Sequence, residues 1–222
     1  MQPTEASLNK FYDSSIMRIW ENGKEDQKEV EKQKEKFSAA IEYLKEKKIT
    51  SCLDVGCGNG WFLKWLKEVC DPIKELGLEL SSGSVLKARE KGLKVYKNSL
   101  KEHYNISSLK YDAVTLWGCL EHVKDPKETI KMASHFLKPE GHLLICVPNI
   151  DCDEARKEKE KTYMFCPQHL WYFSEKTLIN FMAKQGYELS FLYGFNSLYN
   201  IIGIFKQKFV KGRVFFNIGA AA

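Results

Sequence analysis

The stretch best equipped for chemistry is Leu53–Phe62, LDVGCGNGWF, where Gly56, Gly58 and Gly60 alternate with small or polar residues directly after a short apolar run. A backbone with so few Cβ atoms can turn sharply and let a ligand reach contact distance. A phosphate cradle, a cysteine metal site and a pocket for something else would all use such a loop. The P-loop is excluded, because no Gly-Lys-Ser/Thr follows. The glycines are spaced GxGxG, one residue short of the GxGxxG that brings a pyrophosphate to a helix end, so a dinucleotide is less favoured. The seven cysteines (Cys52, Cys57, Cys70, Cys119, Cys146, Cys152 and Cys166) contain no CxxC pair. With no close pair to seed a zinc site, no metal is expected.

Two acids narrow the choice further. Asp54, just before the glycines, suits a ligand with a positive charge or amine nearby. Glu79, at the end of the next apolar run IKELGLEL, is acceptor-only when ionised and can take both hydroxyls of a ribose. The pair asks for a nucleoside without a pyrophosphate that carries an amino-acid-like head. S-adenosylmethionine (SAM) matches, with S-adenosylhomocysteine (SAH) as its product.

The elements that must hold these residues alternate. Lys24–Lys48 carries apolar Val30, Phe37, Ala40, Ile41 and Leu44 among charges, the spacing of a helix with a narrow buried stripe. ITSCLDV reads as a buried strand and WFLKWLKEVC as a helix. IKELGLEL is a second strand, and SSGSVLKAREKG a helix capped by Ser81 or Ser82. LKVYKNSL is a third strand with its exit loop, and YDAVTLW a fourth. DPKETIKMASHFLKPEG reads as a helix opened by Asp125-Pro126 and closed by Pro139-Glu140-Gly141; HLLICVPN follows as a fifth strand. This alternation predicts an α/β fold, a doubly wound and mostly parallel sheet with helices on both faces. Its ligand site belongs beyond the carboxyl ends of the strands. After Asn149 come a charged loop or short helix, the aromatic segment CPQHLWYFS, a helix capped by Ser174, and a sixth strand, YELSFLYGF.

Four ordered motifs, LDVGCGNGWF, LGLELS, YDAVTLWGCLEHVKDP and LKPEGHLLICVPN, resemble those of class I SAM-dependent methyltransferases. The nearest subgroup is similar to small-molecule enzymes of the ubiquinone-biosynthesis type; a fainter likeness is to methyltransferases of bacterial surface-polysaccharide clusters, including ones acting on a phosphoramidate oxygen. The resemblance implies that Asp54, Gly56, Cys57, Gly58 and Gly60 line the methionine moiety, and that Glu79 holds the ribose with Leu80 against the adenine. Asn98 and Ser99 would reach the adenine edge, where an acid is more usual. Trp117 and Gly118 would close over the methionine part by backbone contacts, with Leu120, Glu121 and His122 continuing that wall.

His122 and His169 are the candidate bases, since a histidine suits removal of a hydroxyl proton near neutral pH. His122 is divided between a structural and a substrate-facing role. In CPQHLWYFS, His169, Trp171 and Tyr172 are candidate substrate contacts; the favoured alternative for the aromatics is that Trp171, Tyr172 and Phe173 pack the next helix onto the sheet. Tyr12 and Trp20 are expected to form a lid, within a helical cap segment at 1–48 that precedes a SAM-binding domain at 49–222 with a substrate-facing insertion around 150–174. Glu121 is expected to brace its loop or cap the next helix, and Trp61 and Trp65 to belong to core or pocket wall. His103, His135 and His142 read as surface or strand-edge residues.

Composition sets the outer bounds. The chain has 222 residues, 44% hydrophobic and 28% charged, with a net charge of +5. The basic excess is spread among glutamates, with no basic stripe interleaved with aromatics, so no nucleic acid is expected. With no signal peptide and no long apolar run, a cytoplasmic protein with free thiols is expected. The tail LYNIIGIFKQKFVKGR offers a membrane-surface contact or, as the favoured alternative, a closing helix and strand. A small-molecule acceptor is favoured; a SAM-binding module without catalysis and an NAD-dependent oxidoreductase are the rival readings. Nothing in the sequence sets the oligomeric state.

Overall fold

The computed structural model describes residues 27–159, 162, 164–166, 168–195 and 200–207. A long helix α1 (Gln27–Glu46) leads into β1 (Ser51–Val55), α2 (Trp61–Val69), β2 (Lys74–Leu78), α3 (Ser82–Glu90), β3 (Val95–Tyr96), α4 (Leu100–Ile106) and β4 (Tyr111–Trp117). A 3₁₀ turn (Leu120–His122), α5 (Pro126–His135), β5 (Leu137–Pro148), α6 (Asp153–Glu158), α7 (Glu175–Lys184), β6 (Tyr187–Phe195) and β7 (Asn200–Gln207) follow. The seven strands form one sheet in the order β3-β2-β1-β4-β5-β7-β6. All pairings from β3 to β5 are parallel, and β7 runs antiparallel between β5 and β6. The doubly wound reading of the sequence therefore holds.

Strand residues alternate between two apolar layers. Ala113 and Trp117 of β4 join α1 and α2, through Phe37, Leu44, Leu63 and Leu66. Val114 and Leu116 join α5 and α7 on the other face, through Ile130, Ala133 and Leu178. The order of winding reverses between β1 and β4, which makes the gap above their carboxyl ends the expected ligand position.

Four local readings change. The fifth strand begins at Leu137, and Pro139-Glu140-Gly141 lies within it rather than closing a helix. α5 stops at His135 because Phe136 is fully buried and its carbonyl accepts from Tyr111 N, which starts the β4–β5 pairing early. The exit loop after the third strand is the helix α4, opened by a Ser99–Glu102 capping box. His103 and His142 are buried, not on the surface: His103 packs against Phe136, and His142 sits beside Tyr43. The membrane reading of the tail fails for residues 200–207. Ile201, Ile202, Ile204 and Phe205 are buried within the sheet layers, so that stretch has no apolar face left for a bilayer. Among the described residues no helix is long and apolar enough to cross a membrane.

Candidate active site

Gly56, Gly58 and Gly60 all have positive φ, at 71°, 53° and 79°, a region that favours glycine. The loop is tied down on the carboxyl end of β2. Gly56 N and Cys57 N donate to Leu78 O at 2.8 and 3.0 Å, closing the turn on the end of that strand. Close approach also explains Gly77, a glycine inside a strand: a Cβ there would lie 2.5 Å from Cys57 Sγ. A strand glycine is a sign of close approach, so the sequence carried this signal.

Glu79 clamps the loop. Its Oε1 accepts from Leu80 N and Ser81 N at 2.7 and 2.8 Å, and its Oε2 from Gly58 N at 2.9 Å. A carboxylate has roughly four acceptor positions, so accepting two ribose hydroxyls means sharing or releasing one of these bonds. Leu80, beside it, is an exposed apolar side chain, available to a flat ligand.

Asp54 pairs in register with Thr115 across the point where the winding reverses. Thr115 Oγ1 donates to Asp54 Oδ1 at 2.6 Å, while Oδ2 is buried with no hydrogen-bond partner. Burial, with Glu79 adding to it, pushes the Asp54 carboxyl up to about 7 against the opposing Thr115 bond and Lys36. Thr115 and Lys36 were not singled out from the sequence, although a lone polar residue in AVTLW was a legible cue. Burial pushes the thiols of Cys57 and Cys119 upward too, with the carboxylates nearby, so neither is a reactive thiolate.

The opposite wall begins where β4 ends. Trp117 turns its indole into the core, with ring centroids 4.8 Å from Phe62 and 5.0 Å from Phe37. Gly118 has φ 63°, and its N–H is committed to Cys146 O. Glu121 is buried; its backbone carbonyl braces the loop by accepting from Leu170 N and Trp171 N, while Asp125 caps α5 in its place. Its Oε1 lies 3.9 Å from His122 Nε2, and its Oε2 is buried without a partner. Burial raises the Glu121 carboxyl to about 7.

His122 and His169 meet here, ring centroids 4.8 Å apart. His122 Nδ1 lies 2.9 Å from Gln168 O and His169 Nδ1 2.7 Å from Met164 O. A carbonyl only accepts, so each Nδ1 carries the proton and each Nε2 keeps its lone pair. Burial lowers the affinity of both rings for a further proton, that of His122 to about 4. Of the neighbouring aromatics only Phe173 is buried. Trp171 and Tyr172 are exposed, which corrects the packing alternative for those two: Trp171 Nε1 donates to Val123 O, and Tyr172 stands 5.1 Å from the exposed Phe165. Asn98 and Ser99 are half-buried after β3, with the Ser99 hydroxyl used in its helix cap. Tyr12 and Trp20, the expected lid, lie outside the described residues.

The site can therefore hold a cation and a nucleoside. Asp54, Glu79 and Glu121 gather at one end of the sheet, and Asp54 and Glu121 each keep one buried oxygen unpartnered. SAM carries both a sulfonium and an amine, and its charges fit this set.

A methyltransferase-domain family model matches residues 8–190. The ubiquinone biosynthesis O-methyltransferase of Serratia proteamaculans is 31% identical over 101 residues, 44% of this chain and 42% of that protein. The protein of the same name from Aliivibrio fischeri is 34% identical over 101 residues, 44% of this chain and 43% of its own. The chain thus spans less than half the length of these curated relatives. Among solved structures, the magnesium protoporphyrin IX methyltransferase of Synechocystis PCC 6803 with bound SAH superposes with a TM-score of 0.72 over 92% of this chain and 100% of that one, at 14% identity. The plantazolicin methyltransferase BpumL in complex with SAH gives 0.65 over 90% and 94%, at 17% identity. At these identities the likeness is one of fold.

Proposed function

The chain belongs to the methyltransferase-domain family, a SAM-dependent class, and on that premise we propose that it methylates an oxygen of a small molecule. The observation that carries the acceptor reading is the His122–His169 pair, whose free Nε2 lone pairs stand beside the loop that ends β4. Bound SAM supplies a methyl group already activated by its sulfonium. The chain's residues then have three tasks: hold the cofactor, orient the acceptor and move one proton.

Asp54 and the glycine loop hold the cationic end of the cofactor, and Glu79 with Leu80 holds the nucleoside. Orientation of two bound reactants is worth up to ~7–11 kcal/mol in well-aligned intramolecular reactions. A hydroxyl acceptor must also lose its proton, and His169 Nε2 is the base, with His122 beside it. Phe37 of α1 packs edge-on against Trp117 and so supports the end of β4 from the core side. Exposed Phe165, Trp171 and Tyr172 flank His169 in the sequence and favour a flat or apolar acceptor, as the names of the curated relatives suggest. An anionic phosphoramidate oxygen would need no base, so two imidazoles and a carboxylate suit it less well than they suit a hydroxyl.

The test is methyl-labelled SAM offered with panels of catechols and other hydroxylated aromatics, amines, and phosphoramidates. Label is expected on hydroxyl oxygen; label on nitrogen alone, or tight SAM binding with no transfer to any panel, overturns the reading. His169→Ala is expected to lower turnover by roughly 10²- to 10⁴-fold, the usual contribution of a general base, with SAM affinity kept.

A further inference from the structure

We propose that Glu121, His122 and His169 form a site for one divalent transition-metal ion of the zinc class. One ligand atom from each residue lies within 4.8 Å of the others. Zinc–nitrogen and zinc–oxygen bonds of about 2.0–2.2 Å put tetrahedral neighbours roughly 3.4 Å apart, so closing the site needs side-chain movements of about an ångström. His122 Nε2 and Glu121 Oε1, at 3.9 Å, are nearly there.

Two further observations point to a ligand. Glu121 is 3% exposed, and its Oε2 is buried with no partner, a costly arrangement for a carboxylate. A metal ion would satisfy it. Each histidine also has its Nδ1 proton committed to a backbone carbonyl, Gln168 O or Met164 O. That is the outer-shell bond that metal-ligating histidines use to fix tautomer and ring orientation. The two carriers are locked together as well, because Leu170 N and Trp171 N both donate to Glu121 O.

Two imidazoles and one carboxylate suit zinc, cobalt, nickel or iron, and not magnesium or calcium, which prefer all-oxygen ligands. Three protein ligands leave the fourth position open. Gly118, whose Cβ would lie 3.5 Å from Glu121 Oε1, places the site beside the loop that ends β4. Assigning the open position to the acceptor oxygen rests on the methyl-transfer reading; ion binding itself does not. Methyl transfer from SAM requires no metal, so the ion would hold the acceptor and ease loss of its proton, taking over from His169 Nε2, which as a ligand is no longer a free base.

The test uses the full chain stripped with chelator and titrated with cobalt(II) and zinc(II), by calorimetry and visible absorption. One equivalent is expected, with tetrahedral or five-coordinate cobalt bands and no sulfur-to-cobalt charge transfer. Glu121→Gln and His169→Asn should each weaken binding at least about 100-fold, the upper end of what losing even an outer-shell partner costs. His169 is half-exposed, so its variant keeps the test alive if the Glu121 variant misfolds. SAM affinity, measured on the same samples, is expected to survive in His169→Asn. Absence of binding below millimolar ion, binding retained in both variants, or a thiolate band would overturn the site while leaving the methyl-transfer reading standing. Loss of SAM binding in the unaltered chain would count against that reading instead.

Discussion

At the amino end of the sheet, Asp112 has both carboxylate oxygens in use. Oδ2 accepts from Thr50 N, Thr50 Oγ1 and Ser51 Oγ, each at 2.9 Å, and Oδ1 accepts from Lys138 Nζ at 2.9 Å. At the carboxyl end, Asp54 and Glu121 each keep one buried oxygen idle. Burial works to raise Asp112, but its hydrogen bonds outweigh that and hold it at about 2. Burial wins at Asp54 and Glu121, and both rise to about 7. The same chemical group is a staple at one end and an unmet demand at the other. A stability-driven arrangement satisfies its buried acceptors, whereas an unsatisfied set marks where a ligand is to come.

The largest effect should come from Glu79, which serves both purposes. Glu79→Ala removes one backbone bond to the glycine loop, two to the turn after β2, and the ribose acceptor together. Hydrogen bonds to a charged group are worth about 1.5–3 kcal/mol each, so SAM affinity should fall by roughly 100-fold or more. Calorimetric titration measures this, and a change under threefold would show that Glu79 only shapes the loop. Asp112→Ala reverses the pattern. With its carboxyl at about 2 against ~3.9 unfolded, Asp112 contributes roughly 1–2 kcal/mol once solvent screening is allowed for. That contribution is present above pH ~4 and is lost as pH falls toward ~2. Urea denaturation should therefore show the variant less stable by about that amount at pH 7, with the gap closing in acid. Its SAM affinity should not move, because the carboxylate lies at the far end of the strands.

The pH response of the two ends has opposite sign. Asp54, at about 7 when folded, lies above its unfolded value of ~3.9. The folded state therefore holds a proton that the unfolded state has lost, and between those values rising pH works against folding. A cationic ligand favours the ionised carboxylate, so SAM binding below pH 7 should release a proton. Affinity should then climb by up to about tenfold per pH unit and level off above pH 7. The charges around Asp54 are Glu79, which raises it, and Lys36, which lowers it. The thiols of Cys52, Cys57 and Cys119 are all pushed upward and stay neutral through this range. Titrations in buffers of different protonation enthalpy count the proton directly. Asp54→Asn should flatten the slope to what Glu121, also at about 7, contributes, and a slope unchanged in that variant would assign the proton elsewhere.

How much of this was legible depends on the range of the forces involved. The strand–helix alternation is a local pattern and stands as read; the glycine loop, Asp54 and Glu79 are local patterns too, and the fold brings them together at the carboxyl ends of the strands. What failed needed a partner distant in sequence. Phe136 ends α5 only because the core takes it up and Tyr111 pairs with its carbonyl. His103 and His142 are buried by neighbours no window of sequence shows. β7 is inserted between β5 and β6, so residues 200–207 are a structural strand rather than an apolar surface. The His122–His169 meeting depends on two backbone bonds to Glu121 O, which no spacing rule encodes.

Ser99 gives the smallest effect and divides the two kinds of role most cleanly. The resemblance places it at the adenine edge, yet its hydroxyl already accepts from Glu102 N at 3.1 Å and reaches Glu102 Oε2 at 2.8 Å. The Glu102 carboxylate returns to Ser99 N at 2.7 Å, and these bonds hold it below its usual range. Ser-x-x-Glu was present in the sequence as a helix start, so two readings competed for one side chain. If the cap is its task, Ser99→Ala should cost about 1 kcal/mol of stability, seen as a small loss on denaturation, with SAM affinity within twofold. If affinity falls tenfold while stability holds, the hydroxyl serves the cofactor and the cap is incidental. Either result moves Ser99 to one end of the comparison, because a satisfied group belongs with Asp112 and a ligand-directed one with Asp54.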